Sequence, residues 1–186
     1  MTPPPPSHNP PPPPPCSCAA GHYCPAGTAS PSQYPCPAGT YSDATDIVSA
    51  AQCAQCPARF TCAAGATTAT LVTCPAGYYC PAGSAVAAPC APGTWSARTA
   101  LAAAAECDAC TQGSYCTGGA AAPAACAKGY YCPLGSSSAT GHACPAGTYS
   151  ASASIYLVGQ CTTCPTGSYC PQVRLSDCHS RHFRLY

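Results

Sequence analysis

Three Cys-x-x-Cys pairs, Cys53/Cys56, Cys107/Cys110 and Cys161/Cys164, are the residues whose type and spacing could do chemistry. Two thiols so spaced suit three roles. They can form a redox couple where a helix N-terminus lowers a thiol pKa. They can supply half of a four-ligand zinc site. They can also belong to a disulfide framework in an oxidising compartment. The pairs lie between turn-rich segments, and Pro57 and Pro165 follow two of them, so the strand-to-helix setting of a redox motif is missing. A zinc ribbon repeats its pair after ~15–20 residues, whereas these recur every 54. The 20 cysteines in 186 residues exceed the ~8–10% that marks a disulfide scaffold in a short secreted chain. A disulfide framework is the favoured reading, and an intracellular zinc-binding cysteine-rich protein is the alternative.

Other chemistry finds few residues. Asp43, Asp46, Glu106, Asp108 and Asp177 are the only acids, and of these Asp43 and Asp46 stand close enough to share a cation. Calcium wants several oxygen ligands from one loop, so two surface carboxylates read as solvated. His8, His22 and His142 stand among turn residues without a paired acid. Cys178, His179 and His182 could ligate a metal only in an off-pattern tail. Six basic residues scattered from Arg59 to Arg184 make no phosphate-binding patch, so nucleic acid is not an expected partner. No catalytic, cofactor-binding or metal-binding residue is assigned, and the chain is not expected to be an enzyme. Asn9 precedes Pro10, which excludes N-glycosylation. O-linked sugars on Ser/Thr-rich loops or hydroxylated prolines are the remaining route to a glycoprotein.

The elements that position the cysteines repeat. The phrase beginning Cys36-Pro37-Ala38-Gly39-Thr40-Tyr41-Ser42 returns at Cys90 and at Cys144, 54 residues apart each time. A second phrase, Cys74-Pro75-Ala76-Gly77-Tyr78-Tyr79-Cys80, recurs from Cys126 to Cys132, with a degenerate copy from Cys18 to Cys24. These offsets give a proline-rich polyproline II linker (1–15), a partial repeat (16–35), full repeats (36–89 and 90–143), a partial repeat (144–178) and the tail (179–186). In Cys-Pro-Ala-Gly, proline second and glycine fourth suit a type I turn. Two-stranded ribbons are expected around each Gly-x-Tyr-Cys, and one or two helical turns at most within 97–106. Paired tyrosines (Tyr78/Tyr79, Tyr130/Tyr131) and Tyr115 or Tyr169 are expected to pack over disulfides or turns. The loops that diverge between copies, 42–52, 96–106 and 150–160, are where recognition is expected.

Large side chains are too few to hold such a length. Leucine occurs only at 71, 101, 134, 157, 175 and 185, isoleucine at 47 and 155, and tryptophan at 95. Each buried one contributes roughly 1.5–3 kcal/mol, against about 1.5 kcal/mol to order every residue. Cross-links must replace the missing core. The fold class that follows is a set of small disulfide-rich repeats, forming an elongated rod of turns and short two-stranded ribbons.

The pattern Cys-Pro-x-Gly-Thr-Tyr-Ser, then Cys-x-x-Cys-Pro-x-Gly-x-Tyr-Cys, resembles the GCC2/GCC3 cysteine-rich repeat, also described as ephrin type A/B receptor-like and similar in style to tumour-necrosis-factor-receptor domains. The resemblance covers residues 18–170. It implies disulfide-linked layers in a secreted, cell-surface or wall protein, with a protein or glycan partner and no catalytic residue. By analogy with receptor modules it implies the pairs Cys36–Cys53, Cys56–Cys74, Cys62–Cys80, Cys90–Cys107, Cys110–Cys126, Cys116–Cys132, Cys144–Cys161 and Cys164–Cys178. Cys16, Cys18, Cys24 and Cys170 are left without partners. An extracellular location is expected, with the export signal upstream, because Met1 and Thr2 run directly into prolines. No stretch approaches the ~20 apolar residues of a membrane span.

Overall fold

A computed structural model describes residues 17–170 and the backbone of 179–180. Cys16, Cys178, the proline-rich segment and the rest of the tail lie outside the described residues. The fold is disulfide-rich, with eight two-residue antiparallel ribbons and four single-turn 3-10 helices as its regular structure.

The structural repeat is a third of the 54-residue period. Nine seven-residue units, at 18–24, 36–42, 56–62, 74–80, 90–96, 110–116, 126–132, 144–150 and 164–170, each open with cysteine. In every unit the N–H of the fifth residue donates to the carbonyl of the second, as Thr40 does to Pro37 (3.0 Å) and Tyr78 to Pro75 (3.2 Å). The residue between, fourth in the unit, has φ of +77 to +85° in all nine. A hydrogen-bonded turn with positive φ at its third position is what type II requires, and glycine adopts it without steric cost. The type I turn expected over Cys-Pro-Ala-Gly is therefore corrected: the turn starts at the proline, and glycine is its third residue.

The seventh residue closes the unit. In six units it is a cysteine bonded back to the first: Cys18–Cys24, Cys56–Cys62, Cys74–Cys80, Cys110–Cys116, Cys126–Cys132 and Cys164–Cys170. In the other three it is a buried serine, Ser42, Ser96 or Ser150. There the first cysteine takes its partner seventeen residues on: Cys36–Cys53, Cys90–Cys107 and Cys144–Cys161.

Neighbouring units are joined by their backbones. At all eight junctions the opening cysteine's N–H donates to the positive-φ residue of the unit before, at 2.8–3.0 Å (Cys36 to Gly21, and so on to Cys164 to Gly147). Most junctions add a reverse bond from that residue's N–H to the next unit's seventh residue, such as Gly77 to Ser96 (2.8 Å). Seven of the eight ribbons cross a junction too, pairing Thr40–Tyr41 with Ala54–Gln55, or Tyr78–Tyr79 with Ala88–Pro89. Among the described residues, hydrogen bonds and ion pairs reach only to the next unit or the next but one. That makes the stack quasi-one-dimensional, with stability set by units and their junctions.

Glycine in the turn has a second use. A Cβ on Gly21, Gly39, Gly77 or Gly93 would overlap the carbonyl of Gly65, Gly83, Gly119 or Gly135, two units along. The third unit tests the rule, because Arg59 stands there at φ +79°. Its guanidinium donates to the Ala100 carbonyl two units on (2.6 Å) and lies 3.8 Å from Glu106. A side chain thus caps the carbonyl that elsewhere covers glycine.

Candidate recognition surface

Among the described residues, 18 cysteines are joined in nine disulfides. The long bridges are those the receptor analogy implied. Its crossed pairs are corrected. Cys56 pairs with Cys62 rather than Cys74, Cys80 with Cys74 rather than Cys62, Cys110 with Cys116 rather than Cys126, and Cys132 with Cys126 rather than Cys116. Cys164 is joined to Cys170, not to Cys178, and Cys18 to Cys24. The physical reason is the turn. Reversing the chain over five residues brings first and seventh Cα atoms to 5.7–6.0 Å, inside the range a disulfide needs.

Neither member of a Cys-x-x-Cys pair bonds the other. Cys53 belongs to Cys36 and Cys56 to Cys62, so the paired thiolates of a zinc site are taken up in two separate bridges. The structure gives the zinc reading no support.

The acids are engaged locally. Asp43 Oδ1 accepts from the N–H of Thr68, and Asp46 Oδ1 from that of Cys18, both at 2.8 Å. Asp108 lies 3.6 Å from Arg98 at the surface. His22 Nδ1 is 3.1 Å from the Ala20 carbonyl, and His142 stacks on Tyr131 with centroids 5.3 Å apart. Tyr41 and Phe60 pack on the Cys56–Cys62 bridge, and Tyr23 stacks on Tyr34. Aromatics of the turns are thus part of the packing. Trp95 is the odd one, since its buried Nε1 has no hydrogen-bond partner. Among the described residues, no group of three or more metal-binding side chains converges. A shallow hollow lined by Cys24 and 28–31 holds no titratable side chain.

What distinguishes every third unit is its loop. Where serine replaces the seventh cysteine the chain runs on and returns through the long bridge, producing the segments 42–52, 96–106 and 150–160. Each is built the same way. The buried serine hydroxyl bonds within its own loop, as Ser150 Oγ does in donating to the Ser152 carbonyl (2.8 Å). A positive-φ residue follows (Asp46, Ala100 or Ser154), then a buried aliphatic (Ile47, Leu101 or Ile155). Its carbonyl accepts from the preceding unit's seventh N–H, as Ile47 does from Cys24 (2.8 Å). A 3-10 turn completes the loop, and its last side chain, Gln52, Glu106 or Gln160, accepts from two N–H groups at 2.7–3.2 Å.

The loops read as variable therefore carry recurring structural positions that sequence comparison passed over. Their signals were the 54-residue spacing of Ile47, Leu101 and Ile155, and of Gln52, Glu106 and Gln160. Most of the remaining positions are exposed, and they differ in chemistry. The first loop shows Asp43 and Val48, and the second Arg98 near Asp108. The third is uncharged and presents Leu157 and Val158 at 55% and 49% exposure.

No helix among the described residues is long and apolar enough to cross a membrane. No protein-family model matches the chain, and no curated protein matches it.

Proposed function

We propose that this chain is a non-catalytic extracellular module, a disulfide-stapled spacer that displays three loops at fixed intervals to a protein or glycan partner. The observation that carries the reading is the division of labour along the stack. Cysteines, turn glycines and ribbon aromatics hold the units together, while the loops of every third unit present exposed side chains that differ between copies, Val48 in the first, Arg98 in the second and Leu157 with Val158 in the third. Nine bridges of this kind suit an oxidising compartment. The resemblance to GCC2/GCC3 ectodomain repeats points the same way, through the Cys-Pro-Ala-Gly-Thr-Tyr-Ser phrase.

The test is a thiol count on full-length protein routed through a secretory pathway. Alkylation in denaturant without reductant should leave the 18 bridged cysteines unlabelled, and elemental mass spectrometry should find no bound zinc. Fully reactive thiols accompanied by stoichiometric zinc would overturn the proposal in favour of the intracellular reading.

A further inference from the structure

Seven disulfides lie inside the stack, between its first and last units. Four close short loops and bury both cysteines to 0–1% exposure: Cys56–Cys62, Cys74–Cys80, Cys110–Cys116 and Cys126–Cys132. The three long bridges differ. Cys36, Cys90 and Cys144 are buried, but Cys53, Cys107 and Cys161 are each partly exposed. Thiol–disulfide exchange needs a thiolate to reach a sulfur, so access separates the two classes.

We propose that the three long bridges are reductive modification sites in the folded protein, and that opening them frees the loops while the stack stays assembled. A dithiol reductant is the co-reactant. Its thiolate attacks Cys53 Sγ, the bond to Cys36 breaks, and Cys36 leaves as a thiolate that takes a proton from water. The reductant's second thiol then displaces Cys53 and closes the reductant's own disulfide. The chain gains two thiols and the reductant loses two electrons. Cys107 and Cys161 react in the same way.

The stack survives because the opened unit remains pinned on both sides. For the unit at 36–42, Cys36 N–H to Gly21 (2.8 Å) and Gly21 N–H to Ser42 (2.8 Å) face one neighbour. Gly39 N–H to Cys62 and Cys56 N–H to Gly39 (2.9 Å each) face the other. The neighbour at 56–62 keeps its own short bridge, Cys56–Cys62, both of whose cysteines are buried. The loop loses its covalent return to the stack and is left with the buried Ile47, the Gln52 closure and the hydrogen bonds that Asp43, Asp46 and the Ile47 carbonyl accept from the N–H groups of Thr68, Cys18 and Cys24. Long bridges fall in every third unit, so no two units opened at a long bridge are adjacent. Opening of the long bridges is independent of whether the loops recognise a partner.

The experiment is a dithiothreitol titration of full-length native protein, trapped with N-ethylmaleimide and mapped by peptide mass spectrometry, with hydrogen exchange on the same samples. A sample without reductant counts the thiols free at the outset, so a failed secretory reading shows up separately. Labelling at Cys36, Cys53, Cys90, Cys107, Cys144 and Cys161 is expected about tenfold or more ahead of the four buried bridges, given their difference in access. Amides of 43–53, 97–107 and 151–161 should lose protection while those of Cys56 and Cys110 keep it. Buried bridges opening as fast as the long ones, or all junction amides loosening together, would overturn the proposal.

Discussion

Gly77 and Gly147 hold the same place in their turns at the same φ, +80°, yet their surroundings differ. A Cβ on Gly77 would overlap the Gly119 carbonyl and come within 3.0 Å of Ala120 C, whereas one on Gly147 meets nothing within 4 Å. Gly77→Ala and Gly147→Ala therefore share one cost and differ in another. Both place an L-residue in the left-handed region, at about 1–2 kcal/mol, and both restrict the unfolded chain equally. Only Gly77→Ala must also displace a backbone carbonyl, which as an overpacking defect adds roughly 1–3 kcal/mol. Relief is hard, because the Gly119 turn is held by its own N–H to Cys90 (3.0 Å) and follows the Cys110–Cys116 bridge. The totals are about 2–5 kcal/mol against about 1–2 kcal/mol.

Native-state hydrogen exchange with the disulfides intact reads this difference where it arises. At about 1.4 kcal/mol per decade, the amides of Gly77, Cys90 and Gly119 should open ~30-fold to several-thousand-fold more often in Gly77→Ala. The amides of Gly147 and Cys164 should open only ~5- to 30-fold more often in Gly147→Ala. In a stack whose units touch only near neighbours, the amides of Gly21 and Cys36 should be unmoved by either. Equal penalties at the two sites would refute the close approach of units two apart, and loosening at the far units would refute the one-dimensional stack.

The loops make their own predictions. Leu101→Ala removes a side chain only 2% exposed; it should cost about 2–5 kcal/mol, read as lost protection at the Cys80 amide, whose acceptor is the Leu101 carbonyl. Glu106→Ala, which frees the amides of Ala102 and Ala103, should cost about 0.5–2 kcal/mol in thermal unfolding, as the loss of a cap does. Glu106→Gln should cost much less, since Gln52 and Gln160 close the sister loops and the Arg59 ion pair is surface-screened. Ser96→Cys combined with Cys107→Ser should rebuild the fifth unit, with Cys90 bridged to the thiol introduced at its seventh position. Shortening the closed loop lowers the chain-entropy contribution from ~3 to ~2.4 kcal/mol. Peptide mapping decides the outcome, and a Cys90 left free or joined to Cys110 would refute the interchangeability of the two closures.

How much of this was legible in the sequence turns on which residues recur identically. The 54-residue period stood out because Cys36, Cys90 and Cys144 head near-identical phrases, and the disulfide-rich class followed from cysteine density and the shortage of large side chains. The finer repeat was hidden because its defining position is a conformation, not a residue type. Glycine fills it eight times and Arg59 once, all at positive φ, and the closing residue alternates between cysteine and serine. Aligning by cysteine alone hid the equivalence of Ser42 with Cys62 and Cys80. The crossed pairing then followed from analogy, although Cys74 and Cys80 already flanked a glycine able to reverse the chain between them. The loops went unread for a related reason. Gln52 and Glu106 differ in charge but offer the same oxygen to the same two amides, and Ile47 and Leu101 differ in shape but fill the same buried site. Comparison by residue identity scores such positions as variable. Once they are set aside as structure, the part of each loop left to distinguish partners shrinks to a few exposed side chains, such as Val48 in the first, Arg98 in the second and Leu157 with Val158 in the third.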